Sequence, residues 1–385
     1  MRLLPVLIVG LTCIVAVNAQ APAKSGATFA ALSAQADAAR EAGRLADAAT
    51  LYRRALAKRP DWGDGWWSLG TILYDQDSYA PAAAAFRRLL AIDAKNGTAN
   101  LMLGLCEYQL NRDDSALSHI RRAKTLGVQA DEQLVRVLHY HEGMLLLRKG
   151  RFDDAIEATK PLVEKGVASD ELDALLGASV LLLRPEDLPR PNAPELQIVL
   201  RAGRAERNRL GQQWDAANAG YAALAQEFPV FPNVHYAFGR FLLALERPEE
   251  AIEQFTREIE NQPRHVRARM QIAAAYYRVD SPAGIPYAKE VVAMAPGYPF
   301  GHYLLGLLYL DTRSIPLAIQ ELEAAARMVP TEPQFQFSLG SAYARAGRPK
   351  DAARARAAFA KLGGTHPPGS GEGSEPPRLD LDQPR

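Results

Sequence analysis

Residues 139 to 142 are the part of the chain whose side chains come nearest to metal chemistry. They read His139, Tyr140, His141 and Glu142, and imidazole and carboxylate groups are common zinc ligands. Residues two apart on a helix point about 200° apart around its axis, whereas helical zinc pairs lie four apart. The two histidines therefore cannot share one ion, and we predict no metal site here.

No other pattern in the chain supplies an enzyme mechanism. The sequence lacks a glycine loop that would cradle phosphate, a nucleophile elbow and a paired-cysteine metal motif. The formal net charge of +1 gives no overall field that would recruit nucleic acid or an anionic membrane. We therefore predict a non-enzymatic protein with no cofactor and no nucleic-acid partner.

The elements that carry these residues are predicted to be helices that recur about every 34 residues between residues 29 and 362. Apolar residues three and four apart mark two amphipathic helices in each unit, separated by polar turns such as Gly43-Arg44, Gly150-Arg151 and Gly347-Arg348. Each unit is therefore a helical hairpin, and hairpins must stack to bury both apolar faces. The predicted units start near residues 29, 63, 97, 136, 170, 198, 232, 266, 299 and 333.

The spacing inside the units resembles the tetratricopeptide repeat family. In the clearest unit, which begins at Gly63, the matching residues are Trp66, Leu69, Gly70, Leu73, Ala82 and Phe86. Small residues at the eighth and twentieth places let the two helices approach closely, and a large residue at the twenty-fourth place fills the gap beside them. The resemblance implies an all-α fold, an α-solenoid of helical hairpins that forms a tetratricopeptide superhelix with a long concave surface.

The solenoid is predicted to be interrupted near residues 184–194. Four prolines follow a good first helix there, and each one removes a backbone donor and clashes with the preceding turn. We therefore predict two sub-arrays, residues 29–183 and 195–362, joined by residues 184–194 as a proline-rich hinge. The four prolines are Pro185, Pro189, Pro191 and Pro194.

The first nineteen residues have the pattern of a secretory signal peptide. Arg2 supplies a positive start, residues 3–17 form an apolar run, and Val17-Asn18-Ala19 is a small-residue cleavage site. The run is shorter than a membrane-spanning helix needs, and Cys13 follows a poor lipidation motif. We predict that the protein is exported, periplasmic or secreted, with no stable membrane insertion after cleavage.

The remaining ends are predicted to lie outside the helical array. Residues 20–28 are a linker, and residues 363–385 are a disordered tail rich in glycine, proline, serine and charge. Removal of the leader leaves Cys106 as the single cysteine, so the exported protein has no internal disulfide. Other units carry apolar residues at the place of Cys106, and we predict a buried filler.

The resemblance also implies which residues line the concave groove, because the family uses the second, fifth, ninth, twelfth and thirteenth places of the first helix. In this chain those places are rich in aromatic rings with nearby arginines, the residue types that dominate interface energetics. We predict a groove that binds an extended peptide or a partner helix of another protein. The predicted partner-binding residues are Trp67, Tyr74, Tyr108, Tyr140, Tyr236, Arg240, Tyr277, Arg278, Tyr303 and Phe337.

Two alternatives remain open at this point. The rings could be buried against adjacent units, or the groove could be filled by the chain's own proline-rich segment or tail. The protein could also be an accessory subunit of an envelope machine for polysaccharide export, outer-membrane assembly or cytochrome maturation, binding glycan or a client protein. The sequence sets neither the partner nor the oligomeric state.

Overall fold

The computed structural model describes residues 27–128 and 132–363. Within these ranges all regular secondary structure is helical, with nineteen α-helices and one 3-10 helix. No helix of the described chain combines the length and the apolar character needed to cross a bilayer. The prediction of an all-α solenoid of hairpins is confirmed, whereas the predicted signal peptide, most of the linker and nearly all of the tail lie outside the described residues.

The described residues divide into two compact units, which meet between Leu145 and Leu146, and each unit is described by itself. In the first unit the hairpins are α1 with α2, α3 with α4, and α5 with α6, and α7 runs through the division. The bounds are α1 (Phe29–Glu41), α2 (Leu45–Lys58), α3 (Gly63–Asp75), α4 (Tyr79–Ile92), α5 (Gly97–Gln109), α6 (Asp113–Leu126) and α7 (Glu132–Arg148).

The second unit contains the remaining helices. Five hairpins pair α10 with α11, α12 with α13, α14 with α15, α16 with α17, and α18 with α19. The bounds are α8 (Phe152–Glu164), α9 (Asp170–Val180), α10 (Glu195–Leu210), α11 (Trp214–Glu227), α12 (Val234–Ala244), α13 (Pro248–Asn261), α14 (Val266–Val279), α15 (Ser281–Met294), α16 (Pro299–Asp311), α17 (Ile315–Met328), α18 (Pro333–Arg345) and α19 (Pro349–Lys361).

The turn inside a hairpin closes in the way its sequence predicts. Gly43 has a φ of 73°, a left-handed conformation that a residue with a Cβ atom adopts at a cost. The amide of Arg44 then donates to the carbonyl oxygen of Ala39 at 2.9 Å, which satisfies an otherwise unpaired end of α1. The helix ends there and the chain reverses into α2.

The small residue at the eighth place sets the distance between the two helices of a hairpin. A Cβ atom built on Gly70 would lie 2.8 Å from the ring of Phe86, and one on Gly239 would lie 2.6 Å from the ring of Phe255. Glycine and the large ring therefore fit as a pair, as the spacing predicts. Cys106 is fully buried in the same core layer, so the prediction of a buried filler is confirmed.

In its repeat unit, α9 is not followed by a separate second helix. The chain continues through a 3-10 helix, Pro185–Asp187, and then enters α10, which packs on α9 and also pairs with α11. Two glycines, Gly177 of α9 and Gly203 of α10, make this packing very close. A Cβ on Gly177 would lie 1.9 Å from the Val199 carbonyl oxygen. The predicted interruption of the solenoid is thus confirmed.

The division into sub-arrays 29–183 and 195–362 stays a prediction. Within the second compact unit, α9 lies together with the helices that follow residues 184–194. The reason is the tight contact of α9 with α10, which crosses the proline-rich segment. That residues 184–194 act as a hinge stays a prediction.

A buried carboxylate connects two helices of the second unit. Glu258 of α13 has no exposed surface. It accepts hydrogen bonds from the backbone amides of Asn233 at 2.9 Å and Tyr236 at 3.0 Å. These amides belong to the start of α12, where the N–H groups have no partner within the helix and the helix dipole favours negative charge. Glu258 therefore caps α12 from the next helix.

Candidate partner-binding surfaces

Four of the predicted partner-binding side chains are partly exposed in the first unit. Trp67 and Tyr74 lie on α3, Tyr108 on α5 and Tyr140 on α7, each on a first helix. We call these four residues the aromatic surface. Three successive first helices thus carry partly exposed rings at the fifth and twelfth places, where the groove of a tetratricopeptide array is expected.

Contacts inside the first unit hold three of these rings in place. The ring of Trp67 meets Phe86 edge-on with centroids 5.7 Å apart, and Tyr108 meets the His141 ring at 4.9 Å. Tyr74 contacts Tyr79 at 5.4 Å. A ring that is already oriented loses little conformational freedom when a partner binds. The aromatic surface therefore has the character of a preorganised contact area.

The hydroxyl of Tyr74 can act only as a neutral phenol near pH 7. Burial raises the pKa of Tyr74 above its ordinary value of 10.0, and the neighbouring Cys106 and Tyr79 act in the same direction. The phenol therefore keeps its proton and can donate a hydrogen bond, for example to a peptide carbonyl.

Buried carboxylates of the first unit are already matched by cations. Glu107, which is 1% exposed, is bound by Arg87 and accepts from Arg112 at 3.2 Å. Glu142 accepts from Lys124 at 2.9 Å. Each pair links different parts of the helix stack, and removing one partner would leave an uncompensated buried charge. These groups hold helices together, and nothing in their geometry suggests an acid–base pair.

His141, one of the two histidines with a ligand-like side chain, is used in packing. Nδ1 of His141 lies 2.8 Å from the Val137 carbonyl oxygen, and the side chain is nearly buried. Among residues 27–128 and 132–363, no three His, Cys, Asp or Glu side chains are grouped so that they could hold a metal ion.

Two predicted groove residues of the second unit are buried. Tyr236 has 0% and Tyr303 has 1% of its surface exposed. The ring of Tyr303 packs on Phe335 of the next hairpin at 4.8 Å, and its hydroxyl lies 3.2 Å from that of Ser338. Neighbouring hairpins therefore cover these two rings, which corresponds to the alternative of rings buried against adjacent units. Their role in binding stays a prediction.

Arg240 is engaged within the second unit. Its guanidinium forms an ion pair with Asp153 near the start of α8 and lies 6.0 Å above the Tyr236 ring. In the next repeat unit, the guanidinium of Arg267 lies 5.4 Å above the ring of Phe152. The sequence did not point to Phe152 and Asp153, because they simply begin a second helix and nothing in their own repeat marks a distant contact.

The other three predicted residues differ in exposure. Tyr277 is partly buried against the core of α14 to α18, whereas Arg278 next to it is exposed. Phe337 is partly buried and packs on Phe359 of the last helix at 5.4 Å. The structure therefore does not bring the ten predicted residues into one surface, and their role in binding stays a prediction.

Hairpins that repeat in this way, with a glycine facing a large ring at fixed places, define an α-solenoid. The tetratricopeptide repeat profile matches residues 33–97, 82–131, 209–264, 236–299 and 303–364, which is more than half of the chain. The chain belongs to the tetratricopeptide repeat family. Arrays of this family are scaffolds that bind protein partners on extended concave surfaces.

Several solved structures are similar to parts of the chain, and no curated protein matches it. A MamA RS-1 ArsTM double mutant is 23% identical with a TM-score of 0.42, covering 43% of this chain and 94% of that one. MamA 41-end from Desulfovibrio magneticus RS-1 is 23% identical with a TM-score of 0.41, covering 43% and 95%. A structure titled crystal structure of MamA is 20% identical with a TM-score of 0.40, covering 41% and 94%.

Proposed function

We propose that this protein is a non-enzymatic scaffold whose aromatic surface binds an extended peptide or a partner helix of another protein. The observation that carries the proposal is the exposure of Trp67, Tyr74, Tyr108 and Tyr140, since these rings remain accessible on three successive first helices. Tryptophan and tyrosine are the residues most enriched in interface hot spots. The partner is a polypeptide with apolar side chains spaced to meet the rings.

We also propose that the protein works outside the cytoplasm, in the periplasm or after secretion. The support is the leader pattern of residues 1–19. A fusion of these residues to a reporter that is active only after export tests this part separately.

The binding proposal is tested by position-specific crosslinking in the native host. A photo-reactive phenylalanine analogue replaces Tyr108 in one variant and Trp214 in the control variant. Trp214 is 41% exposed at the start of α11, a second helix, and is not a groove place. We expect the probe at position 108 to trap a protein that the probe at position 214 does not trap.

The same experiment includes a loss-of-contact variant. Replacing Trp67 and Tyr140 with alanine should reduce crosslinking from position 108 at least tenfold, while the circular dichroism spectrum keeps its helical form. Equal crosslinking from both positions, or capture that persists in the alanine variant, would contradict the proposal.

A further inference from the structure

The start of α8 lies on the groove-facing places of two helices in its own unit. Phe152 is only 6% exposed, and its ring is covered by the guanidinium of Arg267 from α14. The next residue, Asp153, forms an ion pair with Arg240 of α12 across 87 positions in the sequence. An aromatic ring and a carboxylate on consecutive residues thus meet two arginines on two first helices.

These arginines stand where an array of this family exposes its groove. Arg240 is at the ninth place of its unit and Arg267 at the second place of the following unit. Leu182, which follows α9, packs against a hydrophobic cluster formed by α12, α13 and α14. Two places that the family uses for its groove, one on α12 and one on α14, are therefore in contact with side chains of the same chain.

The chemistry of this contact is selective. A guanidinium above an aromatic ring gains cation–π energy, and a guanidinium beside a carboxylate gains a charge-assisted hydrogen bond. The nearby Arg209 is already bound to Glu206, with hydrogen bonds of 2.8 and 2.6 Å. Arg240 and Arg267 contact the first two residues of α8, and together they match an aromatic residue followed by an acidic one.

We propose that the groove of α12 and α14 is a docking site for a protein segment in which an aromatic residue precedes Asp or Glu, and that Phe152 and Asp153 occupy it in the absence of this partner. The partner binds by displacing the start of α8. The inference concerns helices α8, α12 and α14 only and does not depend on the aromatic surface of the first unit.

Occupation from within the chain sets a threshold for the partner. A segment tethered to the same molecule competes at an effective concentration on the order of millimolar. A free ligand binds only to the fraction of molecules in which the site is open, so its apparent dissociation constant rises by the inverse of that fraction. Removing the side chains of Phe152 and Asp153 should therefore lower the apparent dissociation constant of the partner.

The test uses a fluorescein-labelled peptide with the sequence of residues 150–157 and measures its binding by fluorescence anisotropy. In the variant with Phe152→Ala and Asp153→Ala, we expect the peptide to bind at least tenfold more tightly than to the unaltered chain. Adding Arg240→Glu should abolish that gain, and a peptide with alanine in place of its phenylalanine should not bind.

Asp154→Ala provides the matched control. Asp154 is the neighbouring carboxylate, but it accepts from Nε of Arg151 at 2.6 Å rather than from the groove. This variant should bind the peptide no better than the unaltered chain does.

Two results overturn the proposal. The first is a doubly substituted variant that keeps the native helical spectrum yet shows no gain in peptide binding. If that variant does not fold, Asp153→Asn, which keeps the ring and the side-chain volume, replaces it and should still show a gain. The second result is a failure of Asp153→Asn to fold or to gain affinity, which would show that the start of α8 has only a structural role.

Discussion

Asn233 and Leu181 are joined by a hydrogen bond in which the side-chain amide of Asn233 donates to the Leu181 carbonyl oxygen at 2.8 Å. Asn233 has a φ of 67°, and its side-chain oxygen lies 2.7 Å from Nε2 of His265. The end of α9, the start of α12 and the start of α14 therefore meet at one side chain. This junction connects α9 to the helices that follow residues 184–194.

His265 makes this junction sensitive to pH. Its Nδ1 accepts from the backbone amide of Ala268 at 2.9 Å and caps α14, so protonation of Nδ1 would break the cap. Burial lowers the pKa of His265 below its ordinary value of 6.5, although the Glu258 carboxylate opposes the shift. The unfolded chain takes up this proton near pH 6.5 and the folded chain only at lower pH, so stability falls as the pH drops below 6.5.

The measurement is urea unfolding at pH 7.5 and pH 5.5 for the unaltered protein and for His265→Asn, which keeps a capping side chain but cannot titrate. The unaltered protein should lose more stability than the variant, by about 1.4 kcal/mol for each pH unit between the two pKa values. The same loss in both proteins would show that His265 does not control this pH dependence.

The contact of α9 with α10 depends on glycine. A Cβ on Gly203 would lie 1.7 Å from the Asp173 carbonyl oxygen, so Gly203→Ala must push the two helices apart. We expect a loss of about 3 kcal/mol in the free energy of unfolding, at the upper end for overpacking.

Gly340→Ala is the matched control inside a helix. Its Cβ would meet neighbouring atoms only at 3.5 to 3.7 Å, an ordinary contact distance. Alanine is the better helix former, so we expect a gain of about 0.5 kcal/mol. Equal effects of the two substitutions in urea unfolding would argue against the close approach of α9 and α10.

Two fully buried tyrosines should respond differently to loss of the hydroxyl group. The Tyr221 hydroxyl donates to the Glu206 carboxylate at 2.8 Å, and burial raises the pKa of Tyr221 well above 10.0. The Tyr236 hydroxyl makes no hydrogen bond to the described part of the chain. Tyr221→Phe should therefore cost about 2 kcal/mol, because a hydrogen bond to a charged group is lost. Tyr236→Phe should be close to neutral in the same thermal unfolding assay, and a larger cost for Tyr236→Phe would reverse this assignment.

The predicted hinge can be tested by cutting it. Arg184 and Arg190 both precede proline, which blocks trypsin, so a specific protease site should be inserted after Glu186 in the 3-10 helix. Because α9 precedes the segment, α10 follows it and the two helices pack on each other, we expect the cut protein to elute as one species in size-exclusion chromatography. Separate fragments would mean that the covalent link, rather than the α9–α10 contact, holds these helices together.

The repeat period accounts for most of the fold. The predicted unit starts at residues 63, 97, 266, 299 and 333 coincide with the first residues of α3, α5, α14, α16 and α18. The start predicted at residue 136 falls inside α7, which begins at Glu132 and is longer than the other first helices. Because the local spacing of small and large residues decides the geometry of a hairpin, that geometry can be predicted from a single sequence.

The exposure of the predicted groove side chains could not be predicted from the repeat spacing. Tyr236 and Trp67 occupy the same fifth place, yet Tyr236 is fully buried and Trp67 is partly exposed. The difference depends on what the next hairpins place opposite each ring. The contact of Phe152 and Asp153 with α12 and α14 depends on how several successive hairpins stack. It also depends on the absence of a separate second helix after α9. Such contacts are non-local and leave no periodic signal.

The cap that Glu258 supplies has a consequence for how the chain acquires its structure. The backbone amides of Asn233 and Tyr236 find this carboxylate only once α13 has docked against α12. An isolated α12 therefore starts with unsatisfied donors and frays, so the hairpin gains its helicity in one cooperative event rather than helix by helix. Hydrogen exchange at these two amides should follow the opening of the whole hairpin, which makes them reporters of its concerted folding.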